Sequence, residues 1–283
     1  HGPGDRPRLV WAGLEPRMSP ARSHLEPAEF ARTRAFPPEI ETEIGEAFGQ
    51  LLPHGAQVVD LGAGTGRLAH LLLAHGFAVT ALDVSRPMLS YLAEHRPRSA
   101  SRLRTVVGDV ARPPFADGAF DVAVSAHVLH LVENWEEALS ESLRILRPGG
   151  LFLRAWSDHE ASDPSEAISV QWREILTAHG YRPRPGVSED EPVTCWMHGH
   201  GMSDRRLTLA TWARSRSPRE ALEAIRQRHY PFSCDVADDR FPALFAELET
   251  WAARRGLSLD LAQPRTTSFV VRIYSSPEAT HAH

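Results

Sequence analysis

The stretch "VVDLGAGTGRLAHLL", from Val58 to Leu72, decides the fold of this chain. It begins as an apolar run of the kind that forms a buried strand, and three glycines follow in quick succession, at Gly62, Gly64 and Gly66. Apolar residues then recur at helical spacing. A strand, a glycine turn and a helix in this order bring backbone N–H groups and a helix N-terminus close to a ligand. The stretch therefore predicts a βα unit that binds a nucleotide-like ligand.

Strands and helices continue to alternate after this unit, as far as Trp156. The predicted strands are "QVVDL", "AVTALD", "LRTVVGD", "FDVAVSA" and "LFLRAW", and two more, "LTLATWA" and "SFVVRIY", start at Leu207 and Ser268. Such alternation is typical of a parallel sheet that helices cover on both faces. We expect an α/β protein with one doubly wound, mostly parallel sheet of seven strands and helical additions at both ends of the chain.

The chain divides into four predicted parts. Residues 1–36 are rich in proline and arginine and are expected to form an irregular N-terminal arm, and residues 37–160 form the core that carries the glycine loop. Residues 161–265 are predicted to form a helical lid and substrate region, with a helix around Val170 to Ala178, then a Pro/Gly/His-rich loop that contains the Cys/His-rich segment near Cys195, and the sixth strand near 207–213. Residues 266–283 contain the last strand and a tail.

Composition excludes several classes of function. All 31 Lys+Arg residues are arginine, so the lysine that a P-loop or a pyridoxal Schiff base requires is missing. The formal net charge of −5 argues against non-specific nucleic-acid binding, which depends on clustered cations. No apolar run is long enough to span a bilayer, and Cys195 and Cys234 are too few for a disulfide scaffold. We expect a cytoplasmic protein that binds neither nucleic acid nor membrane.

The spacing of the glycines distinguishes two nucleotide-like ligands. Dinucleotide-binding folds use G-x-G-x-x-G, whereas this loop reads Gly62-x-Gly64-x-Gly66, with Arg67 at the place of the third glycine. With Asp60 ahead of it, the loop resembles the first motif of class I S-adenosylmethionine-dependent methyltransferases. The resemblance extends in order through "ALDVSRPML", "VVGDV", "FDVAVSAHVLHLV" and "LRILRPGG". It implies a Rossmann-like fold, with S-adenosylmethionine as the cofactor. The alternative to this interpretation is an NAD-dependent oxidoreductase.

The same resemblance implies a set of cofactor-binding residues. The three glycines would let the backbone pack against the methionine part of the cofactor, with Asp60 orienting their loop. Asp83 ends the second strand, about twenty residues later, where a carboxylate can accept both ribose hydroxyls. The remaining residues are Val84 and Met88 beside the adenine, Asp109 and Val110 at its edge, Ser125 and His127 near the sulfonium, and Arg34 at the carboxylate. For Arg34, an ordinary surface position is the alternative.

Residues after the fourth and fifth strands are candidate general bases. Methyl transfer is an in-line displacement, so the protein must mainly position the nucleophile, and a base is needed where that nucleophile carries a proton. His127 and His130 follow the fourth strand, and Asp158 and His159 follow the fifth. The carboxyl ends of such strands border the crevice where these sheets bind ligands. A packed structural role is the alternative for His130, which lies between two leucines.

The expected acceptor is a small organic molecule, methylated at oxygen. Members of this family that methylate amino groups of bases or glutamine carry an Asn/Asp-Pro-Pro-aromatic tetrad after the fourth strand, and this chain has Ala126-His127-Val128-Leu129 there. Aromatic residues of the lid region would line a closed chamber, and we expect a monomer or a homodimer. The alternative is a protein of this fold that binds the cofactor without transferring the methyl group, as a cyclase or a regulatory binding module. The aromatic residues are Trp212, Phe232, Phe241, Phe245 and Trp251.

Two local clusters have competing interpretations. Cys195, His198 and His200 in "CWMHGHG" are metal-ligand types, but a fourth ligand is not evident near them, so no metal is predicted. Five arginines surround the helix predicted after Ser217 and form either a solvated basic face or a site for an anionic group of the substrate. They are Arg214, Arg216, Arg219, Arg226 and Arg228.

Overall fold

The structure is a computed structural model that describes residues 25–96, 102–159, 164–181 and 186–276. Its strands are β1 (Gln57–Leu61), β2 (Ala78–Asp83), β3 (Leu103–Val107), β4 (Phe120–Ala126), β5 (Leu146–His159), β6 (Ser203–Arg216) and β7 (Gln263–Ser275). They form one seven-stranded sheet in the order β3-β2-β1-β4-β5-β7-β6. Strands β1 to β5 are parallel to one another, and β7 runs antiparallel to both β5 and β6. The predicted Rossmann-like, doubly wound, mostly parallel sheet is confirmed.

Helices connect these strands and cover the sheet. They are α1 (Pro27–Arg34), α2 (Pro38–Leu51), α3 (Arg67–Ala74), α4 (Arg86–Glu94), α5 (Trp135–Arg144), α6 (Pro164–Ala178), α7 (Asp190–Gly199), α8 (Pro218–Arg226), α9 (Pro231–Cys234) and α10 (Phe241–Arg254). A 3₁₀ turn, Leu129–Leu131, follows β4. In the described ranges, none of the helices combines the length and apolar character needed to cross a membrane.

Strand β1 shows why both faces of the sheet are buried. Its successive residues Val58 and Val59 point to opposite faces, and both are fully buried. Val58 packs with Leu72 of α3 on the face that α2, α3 and α4 cover, called here the α3 face. Val59 packs with Leu139 of α5 and Met197 of α7 on the other face, called the α7 face. The sheet is therefore the middle layer of three.

Helices α6, α8, α9 and α10, which lie in the region predicted to form a lid, share an apolar core of their own. Trp172 of α6 is fully buried there, and its indole N–H donates to the hydroxyl of Ser233 at 3.0 Å. Phe241 and Phe245 stack on each other and meet Trp172 edge to face. These two phenylalanines, expected to line a substrate chamber, are therefore used to hold the lid together.

Three segments differ from the sequence-based expectation. Part of the arm predicted to be irregular forms α1, with Pro27 at its first position, where proline suits a helix. The loop predicted around the Cys/His-rich segment contains α7. Strand β6 is longer than the predicted 207–213, because it pairs with β7 along its whole length. Residues 1–24 of the arm and 277–283 of the tail lie outside the described residues.

A buried ionic network attaches α7 to the centre of the sheet. The Arg154 side chain on β5 is 8% exposed and donates to Asp190 Oδ1 at 2.8 Å and to the Ser188 carbonyl at 2.8 Å. Asp190 Oδ2 accepts from Arg272 of β7 at 2.6 Å. Burial lowers the pKa of Arg154, and the Asp190 carboxylate opposes that change. Asp190 therefore compensates two guanidinium groups at once, at the first residue of α7.

Substitution Asp190→Ala should destabilise the fold by roughly 2–4 kcal/mol, because it leaves a buried guanidinium without its carboxylate. The exposed pair between Asp117 and Arg144 provides the control, and Asp117→Ala should cost less than about 1 kcal/mol. Both values are measured as free energies of unfolding in urea. Equal losses for the two variants would show that the Arg154 network contributes no more than a surface pair.

Candidate functional site

The loop between β1 and α3 has left-handed backbone at each of its glycines. The φ angles are +75° at Gly62, +56° at Gly64 and +89° at Gly66, a region that residues with a Cβ rarely adopt. A Cβ on Gly62 would lie 2.3 Å from Val128, and one on Gly66 would lie 2.2 Å from Leu92. Two of the glycines are thus needed for packing within the protein. At Gly64 the corresponding distance to Phe30 is an ordinary 3.7 Å.

Asp83 at the end of β2 joins this loop to α4. Its Oδ2 accepts the Gly64 N–H at 2.8 Å, and its Oδ1 accepts the Ser85 N–H at 2.8 Å. Burial raises the pKa of Asp83, against the effect of these two hydrogen bonds. Each carboxylate oxygen can accept more than one hydrogen bond. The carboxylate is therefore fixed in place and can still accept two hydroxyls, as the ribose of the cofactor requires.

Asp60 and two arginines form a charged group beneath the glycine loop. Asp60 is 2% exposed, and burial, followed by repulsion from Asp83, raises its pKa to about 7 against the attraction of Arg67. Arg67 donates to the Arg34 carbonyl at 3.1 Å and lies 4.4 Å from the centre of the Phe36 ring. Burial, and then the charge of Arg34, lower the pKa of Arg67 to about 10. The two cations are thus held close together.

Helix α1 closes over this loop. Phe30 contacts the position of Gly64, and the Arg34 guanidinium donates to the His229 carbonyl, next to α9, at 3.2 Å. Burial lowers the pKa of Arg34. Within the described ranges, neither Arg34 nor Arg67 forms an ion pair with a carboxylate within 4 Å. Their free charge fits the carboxylate of a cofactor's methionine part.

The other residues implied for the cofactor lie at the carboxyl ends of β2, β3 and β4. Val84 is half-buried and Met88 is 9% exposed. Asp109 Oδ1 accepts the Ala111 N–H at 2.9 Å, and the neighbouring Val110 is buried. Ala123 packs on the α7 face, and Ser125, two residues later on β4, points the same way. Ser125 is buried there. Ser125 therefore points to the face of the sheet opposite the one that α3 covers.

His127 has an unusual backbone for its residue type. Its φ is +54°, in the left-handed region, directly after β4 ends. Its ring Nε2 lies 3.4 Å from the hydroxyl of Ser157 on β5. The residue is exposed to solvent. Burial, and then the charges of Arg67 and Arg34, lower the pKa of His127 well below 6.5. A neutral imidazole at pH 7 can accept a proton.

The structure brings together three of the four candidate bases. His130 and His159 are both near enough to lower the pKa of His127 through their charges. His159 Nδ1 lies 3.2 Å from the Thr267 hydroxyl, and burial, followed by the charge of Arg265, lowers its pKa to about 4. Asp158 points to the opposite face of β5, where Arg206 binds it at 2.7 Å. Asp158 is therefore separated from His127 by the sheet.

Sequence reasoning missed Arg67, Ser157 and Phe30 as parts of this site. Arg67 could have been identified from its place directly after the last loop glycine, whereas Ser157 and Phe30 reach the site through contacts between distant segments.

The Cys/His-rich segment lies elsewhere, on α7. There, His198 binds Asp204 at 2.6 Å and His200 stacks on Trp196. No group of three or more His, Cys, Asp or Glu residues in the described ranges could hold a metal ion.

Comparison with known proteins identifies methyltransferases as relatives of this chain. A family model described as a methyltransferase domain matches residues 59–153. The chain is 39% identical over 182 residues to a malonyl-[acyl-carrier protein] O-methyltransferase of Methylococcus capsulatus, covering 62% of this chain and 63% of that protein. It is 30% identical over 168 residues to a demethylmenaquinone methyltransferase of Thermobifida fusca, covering 56% of this chain and 70% of that protein. The chain thus spans less than two thirds of the first of these relatives.

Solved structures share the fold. The YcgJ protein of Bacillus subtilis superimposes with a TM-score of 0.54 at 17% identity, covering 83% of this chain and 98% of that one. A putative methyltransferase of Bacillus halodurans gives 0.54 at 14% identity, covering 82% and 98%. At these identities the likeness shows the fold alone.

Substitution Asp83→Ala should weaken binding of S-adenosylhomocysteine at least tenfold (about 1.4 kcal/mol), because the ribose loses a charged hydrogen-bond acceptor. Asp121→Ala is the control, since that carboxylate also accepts a backbone N–H, from Gln57 at 2.8 Å, but at the opposite end of the sheet. Calorimetry measures both affinities, and thermal unfolding checks the fold. Equal affinity in the wild type and Asp83→Ala would assign Asp83 to loop structure only.

Proposed function

We propose a methyl-transfer function from one premise: the chain belongs to the class I S-adenosylmethionine-dependent methyltransferase family. The observation that carries the proposal is the meeting of the glycine loop, Asp83 and His127 at the carboxyl ends of β1, β2 and β4. Ligands of open α/β sheets bind at this edge, where the strand order reverses. Here the order reverses between β1 and β4.

The residues at this edge fit S-adenosylmethionine, the cofactor of the family. The Gly64 region offers backbone for the methionine part, and Arg34 and Arg67 offer positive charge for its carboxylate. Asp83 would accept the ribose hydroxyls, with Val84 and Met88 beside the adenine and Asp109 and Val110 at its edge. Asp60, whose pKa is raised to about 7, would hold the loop from below.

The neutral His127 would serve as the general base. When held by the glycine loop and Asp83, the cofactor would supply an activated methyl group for the acceptor oxygen and would itself be left as a neutral thioether. The acceptor proton would pass to the His127 ring, and the Ser157 hydroxyl at 3.4 Å would orient that ring. His130 and His159 are further candidates in the same crevice, whereas Asp158 is occupied by Arg206 on the other face.

The acceptor we propose is a small organic molecule, methylated at oxygen. The name of the Methylococcus capsulatus relative includes O-methylation of an acyl-carrier-protein substrate, and the crevice of this chain lies beneath a helical lid. We propose that the protein is a cytoplasmic monomer or homodimer, in which both cysteines are free thiols.

Calorimetry with S-adenosylhomocysteine and with NAD tests the identity of the cofactor. Binding of NAD alone would contradict the proposal.

Transfer itself is tested with methyl-labelled S-adenosylmethionine and a pool of small hydroxylated acceptors. The expected result is label in an ether or ester product. Tight binding of S-adenosylhomocysteine without transfer to any acceptor would instead favour a cofactor-binding module or a cyclase.

Substitution His127→Ala should lower kcat by about 10²–10⁴-fold while S-adenosylhomocysteine affinity stays within a few-fold, since the base acts in the transition state. Because the pKa of His127 in the free protein lies well below 6.5, wild-type kcat/KM should stay constant as pH falls to 6.5 and decline only below it. His95→Ala is the control, as its ring stacks on Tyr91 at the surface of α4. An unchanged kcat in His127→Ala would exclude this residue as the base.

A further inference from the structure

The arginines around α8 separate into two groups. Three of them have carboxylate partners: Arg219 pairs with Asp260, Arg226 with Glu249 and Arg228 with Asp238. The other two, Arg214 and Arg216, have no carboxylate within 4 Å among the described residues. The basic face predicted from the sequence is thus neutralised on the outside of the lid but not at the end of β6.

Strand register shows where the two unpaired arginines point. Arg214 lies directly opposite Arg265 of β7, and Trp212 lies opposite Thr267. Because side chains alternate along a strand, Trp212, Arg214 and Arg216 share one face of β6. Trp212 meets Phe36 edge to face, which identifies this as the α3 face, where the crevice lies. Two guanidinium groups, those of Arg214 and Arg216, thus share one face at this end of β6, where their combined charge favours an anion.

The lid contacts the same end of β6. The Arg216 guanidinium lies 5.9 Å from the centre of the Tyr230 ring, immediately before α9. Arg34, which binds the neighbouring His229 carbonyl, adds a third guanidinium on the side of the glycine loop. His159, held by Thr267 at 3.2 Å, lies between this group and His127. The charges of Arg214 and Arg216 contribute to the lowered pKa of His159, as expected for groups that face one another.

We propose that Arg214 and Arg216 bind an anionic oxygen group, a carboxylate or a phosphate, on the methyl acceptor. The inference rests on the proposed function and names the class of its substrate. Guanidinium groups bind such oxygens in pairs of parallel hydrogen bonds. Neighbouring strands lie about 4.8 Å apart, so the backbone of β6 lies about 10 Å from that of β5, beyond β7. The anion and the hydroxyl near His127 are therefore two separate groups of one acceptor.

Matched acceptors test this assignment. Each set shares one hydroxylated body and differs in a single substituent, which is a carboxylate, a phosphate monoester or a neutral primary amide. Binding to the complex with S-adenosylhomocysteine is measured by calorimetry, and transfer by methyl label. The anionic members should bind at least tenfold more tightly than the amide, and the better of the two anions identifies the group.

The double variant R214Q/R216Q should remove this preference, raising the KM of the anionic acceptor at least tenfold with kcat within about threefold. Its affinity for S-adenosylhomocysteine should equal that of the wild type. The control is R205Q, since Arg205 lies on β6 and the same face but about 30 Å away at the other end of the strand. R205Q should keep both the preference and the KM.

Three outcomes would overturn the inference. Equal binding of amide and anions by the wild type would show that the site does not select charge. An unchanged preference in R214Q/R216Q would place the anion elsewhere. A loss of S-adenosylhomocysteine affinity in that variant would assign the arginines to the cofactor or the fold. Failure of the wild type to bind S-adenosylhomocysteine would instead refute the proposed function itself, and the inference with it.

Discussion

The site depends on close packing at two glycines of one loop. At Gly62 the space of a Cβ is filled by Val128, and at Gly66 it is filled by Leu92. The first contact fixes the segment after β4 against the end of β1, and the second fixes α4 against the start of α3. Val128 follows His127 directly, so the contact that determines the loop also positions the proposed base. The chain turns from β1 into α3 within a few residues. The same packing in this turn therefore positions both the proposed cofactor loop and the proposed base.

The sheet and the cofactor side of the site could be predicted, because their signals are local. The glycine spacing, Asp60 and Asp83 lie within one βαβ unit, where sequence distance determines spatial distance. The predictions for α1 and α7 were wrong for the opposite reason. Helix α1 has no buried residue of its own and is held by contacts with Gly64 and His229, and α7 is fixed by the Arg154–Asp190 pair. Composition carries no information about such long-range partners.

Strand alternation explains which candidate catalytic residues the sequence could not place. Asp158 and His159 are adjacent, but successive side chains of β5 point to opposite faces, so only His159 reaches the crevice. Which of the two faces holds the crevice depends on the helices packed there, and the spacing of residues does not reveal it. The same uncertainty affected Ser125, which is buried on the α7 face. The position of His127 directly after β4 could be predicted, while its left-handed backbone could not.

Positive charge connects the two ends of the site. Burial lowers the pKa of His127 and His159 first, and arginines lower them further: Arg67 and Arg34 in the first case, Arg265, Arg214 and Arg216 in the second. An anion bound to these arginines cancels part of that repulsion. Near the same ring the cofactor's sulfonium would lower the pKa of His127, and the cofactor's carboxylate at Arg34 and Arg67 would offset that effect by raising it. An acceptor's anion at Arg214 and Arg216 would act in the same direction on His159. With arginine as its only basic side chain of high pKa, the chain keeps these positive charges constant across physiological pH, whereas Asp60 beside Arg67, with a pKa of about 7, changes its charge there.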